Sequence, residues 1–170
     1  IVVDVSKHFT NIIDVDVKAK TVRVQPGVIR DDLNAYLKPH GLFFGPNTST
    51  SNRCMIGGMV GNNSSGTTSI QYGVTRDKVL AMECILSDGS QVCFSSISKE
   101  IFTEKTKLKT LEGAIYKELH SVLHAKEVQQ EIRKQFPRPE IHRRNTGYAL
   151  DELIDTAVFG GNSSFNMCKL

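Results

Sequence analysis

Residues 46–74, which we call the glycine-rich loop, have the clearest chemical character in the sequence. They are mostly glycine, serine, threonine and asparagine with almost no charge, and the glycines are Gly57, Gly58, Gly61, Gly66 and Gly73. Glycine lets another molecule approach the main chain closely, and hydroxyl and amide groups offer hydrogen-bond donors. Backbone N–H groups in such a segment can face an anion. The loop therefore predicts a site for a large, polar, anionic ligand.

The loop matches neither of the common nucleotide-binding glycine motifs, G-x-x-x-x-G-K-[ST] or G-x-G-x-x-G. Its short apolar part, residues 55–60, predicts a helix with Gly57 and Gly58 in the first turn. The N–H groups of a first helical turn have no partner within the helix, so we expect both to be free for a diphosphate. The alternative, a glycine-rich surface loop without a ligand, remains open because glycine is also common turn material.

The whole chain has the composition of a globular domain. It has 170 residues, 39% hydrophobic and 23% charged, with a net charge of +3 that is too small and dispersed to indicate nucleic acid binding. Its cysteines, Cys54, Cys84, Cys93 and Cys168, have neither metal-site nor disulfide spacing. We therefore expect a reducing, cytoplasmic setting, with peripheral membrane association as a further possibility for a longer protein. Because the chain starts inside an apolar run without methionine, we expect a piece of such a protein.

The elements before the loop are predicted by periodicity and turn residues. Residues 1–5 indicate a strand, and residues 11–17 and 21–24 indicate a hairpin with one buried face. A helix follows, with Val28, Ile29, Leu33, Tyr36 and Leu37 near 3.6-residue spacing and acidic residues in its first turn; Pro39-His40-Gly41 ends it.

The elements after the loop are predicted in the same way. Residues 77–86 and 91–94 indicate a second hairpin around Asp88-Gly89. From Ser98 the chain becomes helical; residues 113–125 place Ile115, Leu119, Val122 and Leu123 on one face, and residues 127–136 continue the helix until Pro137 and Pro139. A turn at Gly147, an amphipathic piece at 151–157 and a strand at 165–170 complete an α+β chain.

Five sequence motifs together carry a family resemblance. They are V-x-V-Q-P-G-V (22–28), L-N-x-x-L-x-x-H-G-L-F-F-G-P (33–46), I-G-G-M-V-x-N-N-S-S-G (56–66), Y-G-V-T-x-D-x-V (72–79) and S-D-G (87–89). In this order and spacing the sequence resembles the FAD-linked oxidases of the vanillyl-alcohol-oxidase type, with a PCMH-type FAD-binding domain. It is most similar to their branch of D-lactate, glycolate and D-2-hydroxyglutarate dehydrogenases. R-x-N-T-G-Y-x-L (143–150) adds weaker support.

The resemblance implies a fold and a cofactor site. The fold is α+β, the second subdomain of the FAD-binding domain, with an antiparallel or mixed sheet flanked by helices and a helical insertion. We expect an FAD subdomain core at 1–97, the insertion at 98–140 and a return segment at 141–170. The resemblance implies non-covalent FAD contacts from Pro46, Thr48, Ser49, Met55, Ile56, Gly57, Gly58, Asn63, Ser64, Ser65, Gly66, Tyr72 and Gly73.

The chain also departs from the family pattern. The R-G-G-G-T-S-like loop, the G-S-E-G-T-L segment and the cap domain that carries the catalytic residues do not occur in this sequence. We therefore assign no catalytic residue and no metal. We expect this chain by itself to have a damaged FAD site that does not turn over.

Several other residues have both a functional and a plain interpretation. His120 and His124 at i, i+4 could hold a metal, but a solvated helix face is favoured because no third ligand is near. His40 could anchor the flavin covalently, but a helix C-terminus also favours a cation. Tyr72 could stack on the flavin or serve only in packing. Arg143, Arg144, Asn145 and Tyr148 could bind a carboxylate or form a basic surface turn.

The predicted function is FAD binding within a flavin-dependent oxidoreductase that oxidises a small 2-hydroxyacid such as D-lactate, glycolate or D-2-hydroxyglutarate. The expected partners are FAD, that substrate and a second copy of the chain, without nucleic acid. Two alternatives remain open. One is a folded module that binds no cofactor, and the other is an FAD-dependent alcohol or sugar oxidase of the same fold.

Overall fold

A computed structural model of the protein describes residues 2–138, 140–141 and 147–170. The chain forms two compact units, Ile1–Lys78 and Val79–Leu170, each with its own hydrophobic core. The entire glycine-rich loop belongs to the first unit. The division into a 1–97 core, a 98–140 insertion and a 141–170 return segment concerns roles within the family, and it stays a prediction.

The first unit contains the predicted hairpin. Strands β1 (Ile12–Asp16) and β2 (Thr21–Val24) pair antiparallel, with a register shift between Ile12 and Asp14. Alternate side chains, Val15, Val22 and Val24, pack against the core of this unit. In the turn, the Asp16 carboxylate accepts a hydrogen bond from the Ala19 N–H at 2.9 Å. The hairpin prediction is confirmed.

Helix α1 (Arg30–Leu37) follows the hairpin as predicted, and Leu33 and Leu37 are its buried residues. A short 3₁₀ helix, Lys38–His40, extends it to Gly41. Gly41 has a φ of +68°, a conformation that favours glycine, and its N–H donates a hydrogen bond to the Lys38 carbonyl at the end of this helix.

Short helices follow in and after the loop: α2 (Ile56–Gly61), α3 (Ser69–Tyr72) and α4 (Thr75–Lys78). The helix predicted over 55–60 is confirmed by α2. The strand predicted over 77–86 is wrong in its first half, because residues 77 and 78 belong to α4 and residues 79–81 form neither helix nor strand. The Asp77 carboxylate accepts the Val74 N–H at 2.8 Å, and this local bond at the helix start competes with an extended chain.

The strand predicted over residues 1–5 is also not confirmed. Residues 2–5 have no strand pairing, and Val2 and Val3 are 97% and 75% exposed. An apolar run forms a strand only when a neighbour accepts its backbone hydrogen bonds, and no described residue does so here.

The second unit starts with the predicted second hairpin. Strands β3 (Met82–Ile85) and β4 (Gln91–Phe94) pair antiparallel around Asp88-Gly89, where Gly89 has a φ of +83° and the Asp88 carboxylate accepts the Ser90 N–H at 2.9 Å. Strand β5 (Ser96–Ile97) pairs with β6 (Phe165–Asn166). The strand predicted over 165–170 is therefore too long, because residues 167–169 form a 3₁₀ helix.

Three helices form the predicted helical region: α5 (Lys99–Lys105), α6 (Leu111–Leu123) and α7 (Lys126–Gln135). The expected continuation across residue 125 is wrong, because Ala125 is extended and starts a new helix. The Gln129 side chain donates to the Leu123 carbonyl at 2.8 Å and so satisfies the end of α6. Helix α7 ends before Pro137, with Phe136 extended as expected for a residue before proline.

The face predicted for the region of α6 is partly wrong. Leu123 is fully buried, but Val122 is 46% exposed and Tyr116 takes its place in the core. Tyr116 packs edge-on against Phe102 at 5.2 Å between ring centroids, and Phe102 packs in the same way against Phe165 at 4.7 Å. The amphipathic piece predicted at 151–157 appears as α8 (Leu150–Ile154), whose Leu153 and Ile154 are buried.

The α+β fold class is confirmed. The described residues form three two-stranded antiparallel sheets, flanked by helices, and no mixed sheet. Among these residues, no helix has the length and apolar character needed to cross a bilayer. Pro139, Arg143, Arg144 and Asn145, which carried part of the predictions, lie outside the described residues.

Candidate functional site

The glycine-rich loop is attached to the start of α1. Ile29 and Met55 form an isolated antiparallel bridge, and the Arg30 N–H donates to the Cys54 carbonyl at 3.0 Å. The Asp31 N–H donates to the Ser51 carbonyl at 3.2 Å. The first turn of α1 has N–H groups without intrahelical partners, and two of them are satisfied by loop carbonyls.

The first turn of α2 is tied to the Pro26-Gly27-Val28 segment. The Ile56 N–H donates to the Val28 carbonyl at 2.9 Å, and the Gly57 N–H donates to the Pro26 carbonyl at 2.8 Å. A Cβ atom on Gly57 would lie 2.6 Å from the Pro26 Cβ. The expectation of a free N–H is therefore wrong for Gly57: this glycine allows α2 to pack closely on the preceding segment.

Gly58 behaves differently from Gly57. It is exposed, and a Cβ atom built on it would have no heavy atom within 4 Å. Its N–H has no hydrogen-bond partner among the described residues. Gly58 is therefore an open position with a free backbone donor, the combination expected where a ligand approaches the main chain.

Several hydroxyl groups in the loop, and that of Thr75 directly after it, bond to nearby atoms of the protein. Thr68 Oγ1 donates to the Gly45 carbonyl at 2.9 Å, and Ser69 Oγ donates to the Gly66 carbonyl at 2.7 Å. Thr75 Oγ1 donates to the Ser64 carbonyl at 2.6 Å, and Thr48 Oγ1 lies 3.2 Å from Cys54 Sγ. These bonds hold the loop to itself and to its neighbours in the chain, so hydroxyl content alone overstates the donors available to a ligand.

Gly66 and Gly73 are also explained by packing. A Cβ atom on Gly66 would overlap the Asn47 carbonyl oxygen, which passes directly against it. Gly73 has a φ of +74°, and a Cβ atom there would overlap the Asp77 carboxylate. Both positions require glycine whether or not a ligand is bound.

Asn63 carries the second feature that fits a bound group. It is buried, has a left-handed φ of +44°, and its Oδ1 accepts the Arg76 N–H at 2.9 Å. Its Nδ2 is buried and has no hydrogen-bond partner among the described residues. A buried donor without a partner is costly, so an acceptor oxygen that reached it after a small loop shift would relieve this cost.

The remaining predicted contacts differ in exposure. Ser49 is exposed and can meet a ligand directly, whereas Pro46, Ile56 and Ser64 are buried. The N–H groups of Ile56 and Ser64 are bound to protein carbonyls and Pro46 has no N–H, so these three residues can shape the site but do not offer it backbone donors. Thr48, Met55, Ser65 and Tyr72 are half-buried. Tyr72 packs edge-on against Phe43, with ring centroids 5.0 Å apart, which leaves both its packing and its flavin-stacking interpretation open.

The histidines that the structure describes belong to no cluster that could hold a metal ion. His120 and His124 stack with ring centroids 4.9 Å apart, and no group of three or more His, Cys, Asp or Glu residues in the described ranges could hold a metal ion. His40 is exposed at the end of its 3₁₀ helix. Tyr148 is 75% exposed.

The cysteines are all free thiols. Burial raises the pKa of Cys84, and burial raises the pKa of Cys168 to about 11. Because the thiolate is the nucleophile, neither of these two thiols is suited to act as one near neutral pH.

The sequence analysis missed residues of α1 that hold the loop. Arg30 and Asn34 bind backbone atoms of Phe44 and Pro46, immediately before and at the start of the loop. In the sequence, Arg30 shows only polar character on an amphipathic helix, which solvent-facing residues share, and Asn34 appears only as one position of the motif over residues 33–46. Such contacts become visible only once the chain has folded back on itself.

Comparison with known proteins supports a flavin site. The model of the family described as FAD binding domain matches residues 1–95. D-2-hydroxyglutarate dehydrogenase of Haemophilus influenzae is 39% identical over 173 residues, which cover 100% of this chain and 16% of that protein. The enzyme of the same name from Escherichia coli K12 is 39% identical, over 91% of this chain and 15% of that protein.

More distant relatives carry related names. Glycolate oxidase subunit GlcD of Bacillus subtilis is 40% identical over 83 residues, which cover 49% of this chain and 18% of that protein. The chain thus spans about a sixth of the length of the curated relatives it matches. No solved structure matches it significantly.

Proposed function

This chain belongs to the family of FAD binding domains, and on that basis we propose that it holds FAD in an enzyme that oxidises a 2-hydroxyacid. Relatives named for D-2-hydroxyglutarate match over nearly the whole chain, which favours that substrate, with glycolate and D-lactate as the next candidates. When bound, FAD would supply the hydride acceptor for oxidation of the alcohol carbon.

One observation carries the placement of the cofactor: Gly58 combines open space with a free backbone N–H. A free donor in the first turn of a helix favours a negatively charged oxygen such as that of a diphosphate. Ser49 on the loop surface and Asn63 Nδ2 after α2 are the side-chain donors that would extend the contact. Gly57, Gly66 and Gly73 would support the site by letting its segments pack closely.

A pair of glycine variants in the full-length protein tests this placement. Gly58 and Gly61 both lie in α2, both are exposed, and neither would place a Cβ atom within 4 Å of another residue. Alanine in place of glycine favours a helix by up to about 1 kcal/mol, so neither Gly58→Ala nor Gly61→Ala should destabilise the apoprotein. We expect Gly58→Ala to raise the FAD dissociation constant about tenfold or more, and Gly61→Ala to leave it nearly unchanged.

The titration is read from flavin fluorescence and calorimetry. Equal FAD affinity of the two variants would show that the cofactor does not approach Gly58. Absence of FAD binding by the wild-type protein would contradict the proposed function itself. A panel of 2-hydroxyacids that bleaches the visible flavin band of the holoenzyme would then rank the substrates.

Other features of the full protein remain proposals. Non-covalent attachment of FAD, a cytoplasmic location, association with a second copy and lack of nucleic acid binding stay predictions from the sequence. Acid precipitation of the holoenzyme, which releases only non-covalent flavin, tests the first of them.

A further inference from the structure

We propose that Arg30 is a positioning residue that holds the start of the glycine-rich loop in the conformation that receives the cofactor. This inference rests on the proposed function of the loop as an FAD site. It assigns a role to Arg30 of α1, which lies outside all five family motifs.

The Arg30 guanidinium joins two carbonyl groups at the start of the loop. Its Nε donates to the Pro46 carbonyl at 3.1 Å, and its Nη2 donates to the Phe44 carbonyl at 3.3 Å. Its Nη1 lies 3.0 Å from a carboxylate oxygen of Asp31, and only 14% of the Arg30 side chain is exposed. A planar, forked donor is suited to this arrangement because it binds several acceptors with fixed geometry.

Two neighbours on α1 extend the same attachment. Asn34 Oδ1 accepts the Phe44 N–H at 2.6 Å, and Asn34 Nδ2 donates to the Phe44 carbonyl at 3.2 Å. Ser51 Oγ donates to the other carboxylate oxygen of Asp31 at 2.9 Å. The hydrogen bonds from Arg30 and Ser51 keep the pKa of Asp31 below its ordinary value. The helix therefore holds the loop both before it begins and at Ser51.

This attachment matters because residues 42–54 contain no helix or strand of their own. A loop without internal regular structure must be ordered when it binds a ligand, and that ordering weakens affinity. If only a fraction of molecules has the loop in the competent conformation, the apparent dissociation constant rises in proportion. Arg30 increases that fraction in the free protein.

The test compares three variants of the full-length protein. Arg30→Met removes the guanidinium, Arg30→Lys keeps the charge but not the fork, and Arg53→Met removes an exposed cation from the same loop. Among the described residues, the side chain of Arg53 bonds only to Asn52, at a long 3.5 Å, so this variant controls for general attraction of the anionic cofactor. The FAD dissociation constant, its salt dependence and the urea unfolding of the apoprotein are measured for each.

We expect both Arg30 variants to raise the FAD dissociation constant about tenfold, equivalent to about 1.4 kcal/mol, under conditions where the apoprotein is fully folded. We expect Arg53→Met to change it less than about twofold, and the salt dependence of Arg30→Lys to match that of the wild type. If an Arg30 variant does not fold, Asn34→Ala serves as the second variant, because it removes the two hydrogen bonds between Asn34 and Phe44. It should raise the FAD dissociation constant several-fold.

Two results would overturn the inference while leaving the proposed function intact. One is wild-type FAD affinity of Arg30→Lys or of a folded Arg30→Met protein. The other is an equal loss of affinity in Arg30→Met and Arg53→Met, which would assign the effect to charge alone. If the wild-type protein did not bind FAD, the proposed function and this inference would both fail.

Discussion

At the scale of single residues, the glycines of the loop fall into two classes. Gly57, Gly66 and Gly73 are needed for close packing or for a positive φ, because a Cβ atom on each would strike a neighbouring atom. Gly58 and Gly61 have open space instead. Only the second class can present bare backbone to a ligand, and of its two members Gly58 has the free N–H. A count of glycines in the sequence does not distinguish these classes.

Asn63 gives a prediction at the same scale. Its φ of +44° suits asparagine and glycine, but it costs other residues roughly 1–2 kcal/mol. Asn63→Gly and Asn63→Ala both lose the bond from the Arg76 N–H, so their difference isolates the backbone conformation. We expect the glycine variant to be more stable by about 1 kcal/mol in urea unfolding.

Gly61→Ala, in the right-handed helix α2, is the matched control for the comparison at Asn63. There alanine should be the more stable residue, because a helix favours it over glycine. If Asn63→Ala were as stable as Asn63→Gly, the left-handed conformation of Asn63 would be contradicted.

At the scale of elements, local sequence predicts most helices and hairpins, while packing decides their ends. Thr110 is the N-cap residue of helix α6, and its hydroxyl accepts the Gly113 N–H at 3.3 Å. Such a cap is encoded locally, since threonine is a favoured N-cap residue. The break at Ala125 goes with the bond from the Gln129 side chain to the Leu123 carbonyl, and the burial of Tyr116 goes with its packing against Phe102 and Phe165. Neither feature was predictable from periodicity.

Helix α6 provides the prediction at this scale. Gly113 lies in its first turn, and a Cβ atom there would overlap the Leu108 carbonyl. We expect Gly113→Ala to destabilise the protein by roughly 1–3 kcal/mol, although alanine is the better helix former. Urea unfolding measures the effect.

Ala114→Gly, at the exposed neighbouring position, is the control for Gly113→Ala. It should cost no more than about 1 kcal/mol, the difference in helix propensity. A stabilised Gly113→Ala protein would show that α6 does not pack against Leu108 as described.

At the scale of the molecule, the two units have separate cores, and the buried ionisable groups lie in the second. Burial raises the pKa of Cys168 from 9.0 to about 11 and the pKa of Tyr116 from 10.0 to about 12. A group whose pKa is raised in the folded state contributes its full stabilisation only at pH values below its pKa in the unfolded chain. As pH rises above it, the unfolded chain loses its proton first and unfolding becomes easier.

We therefore expect the free energy of unfolding of the second unit to fall from about pH 9 upward. The decrease caused by titration of Cys168 should reach roughly 2 kcal/mol by about pH 11. Titration of Tyr116 should lower the free energy of unfolding further, up to about pH 12. Cys168→Ser keeps a donor for the Phe94 carbonyl, which Cys168 Sγ contacts at 3.3 Å. Serine does not titrate in this range, so an unchanged alkaline slope in that variant would contradict the assignment to Cys168.

The sequence by itself determined the elements that short segments encode. The hairpins around Ala19 and Gly89, helix α1 with its glycine end and the position of α2 all follow from turn residues and apolar spacing that act within a few residues. The motifs from Val22 to Gly89 also indicated the FAD family, as the match over residues 1–95 bears out. The loop's polar character likewise follows from its composition.

The tertiary structure alone decided which loop groups remain free. The Gly57 N–H is bound by the carbonyl of Pro26, and the carbonyls of Phe44, just before the loop, and of Pro46, at its start, are bound by Arg30. These partners are far apart in the chain, and hydrogen bonds between distant segments leave no periodic trace in the sequence. A donor is available to a ligand only when no such partner reaches it, and at Gly58 none of the described residues does.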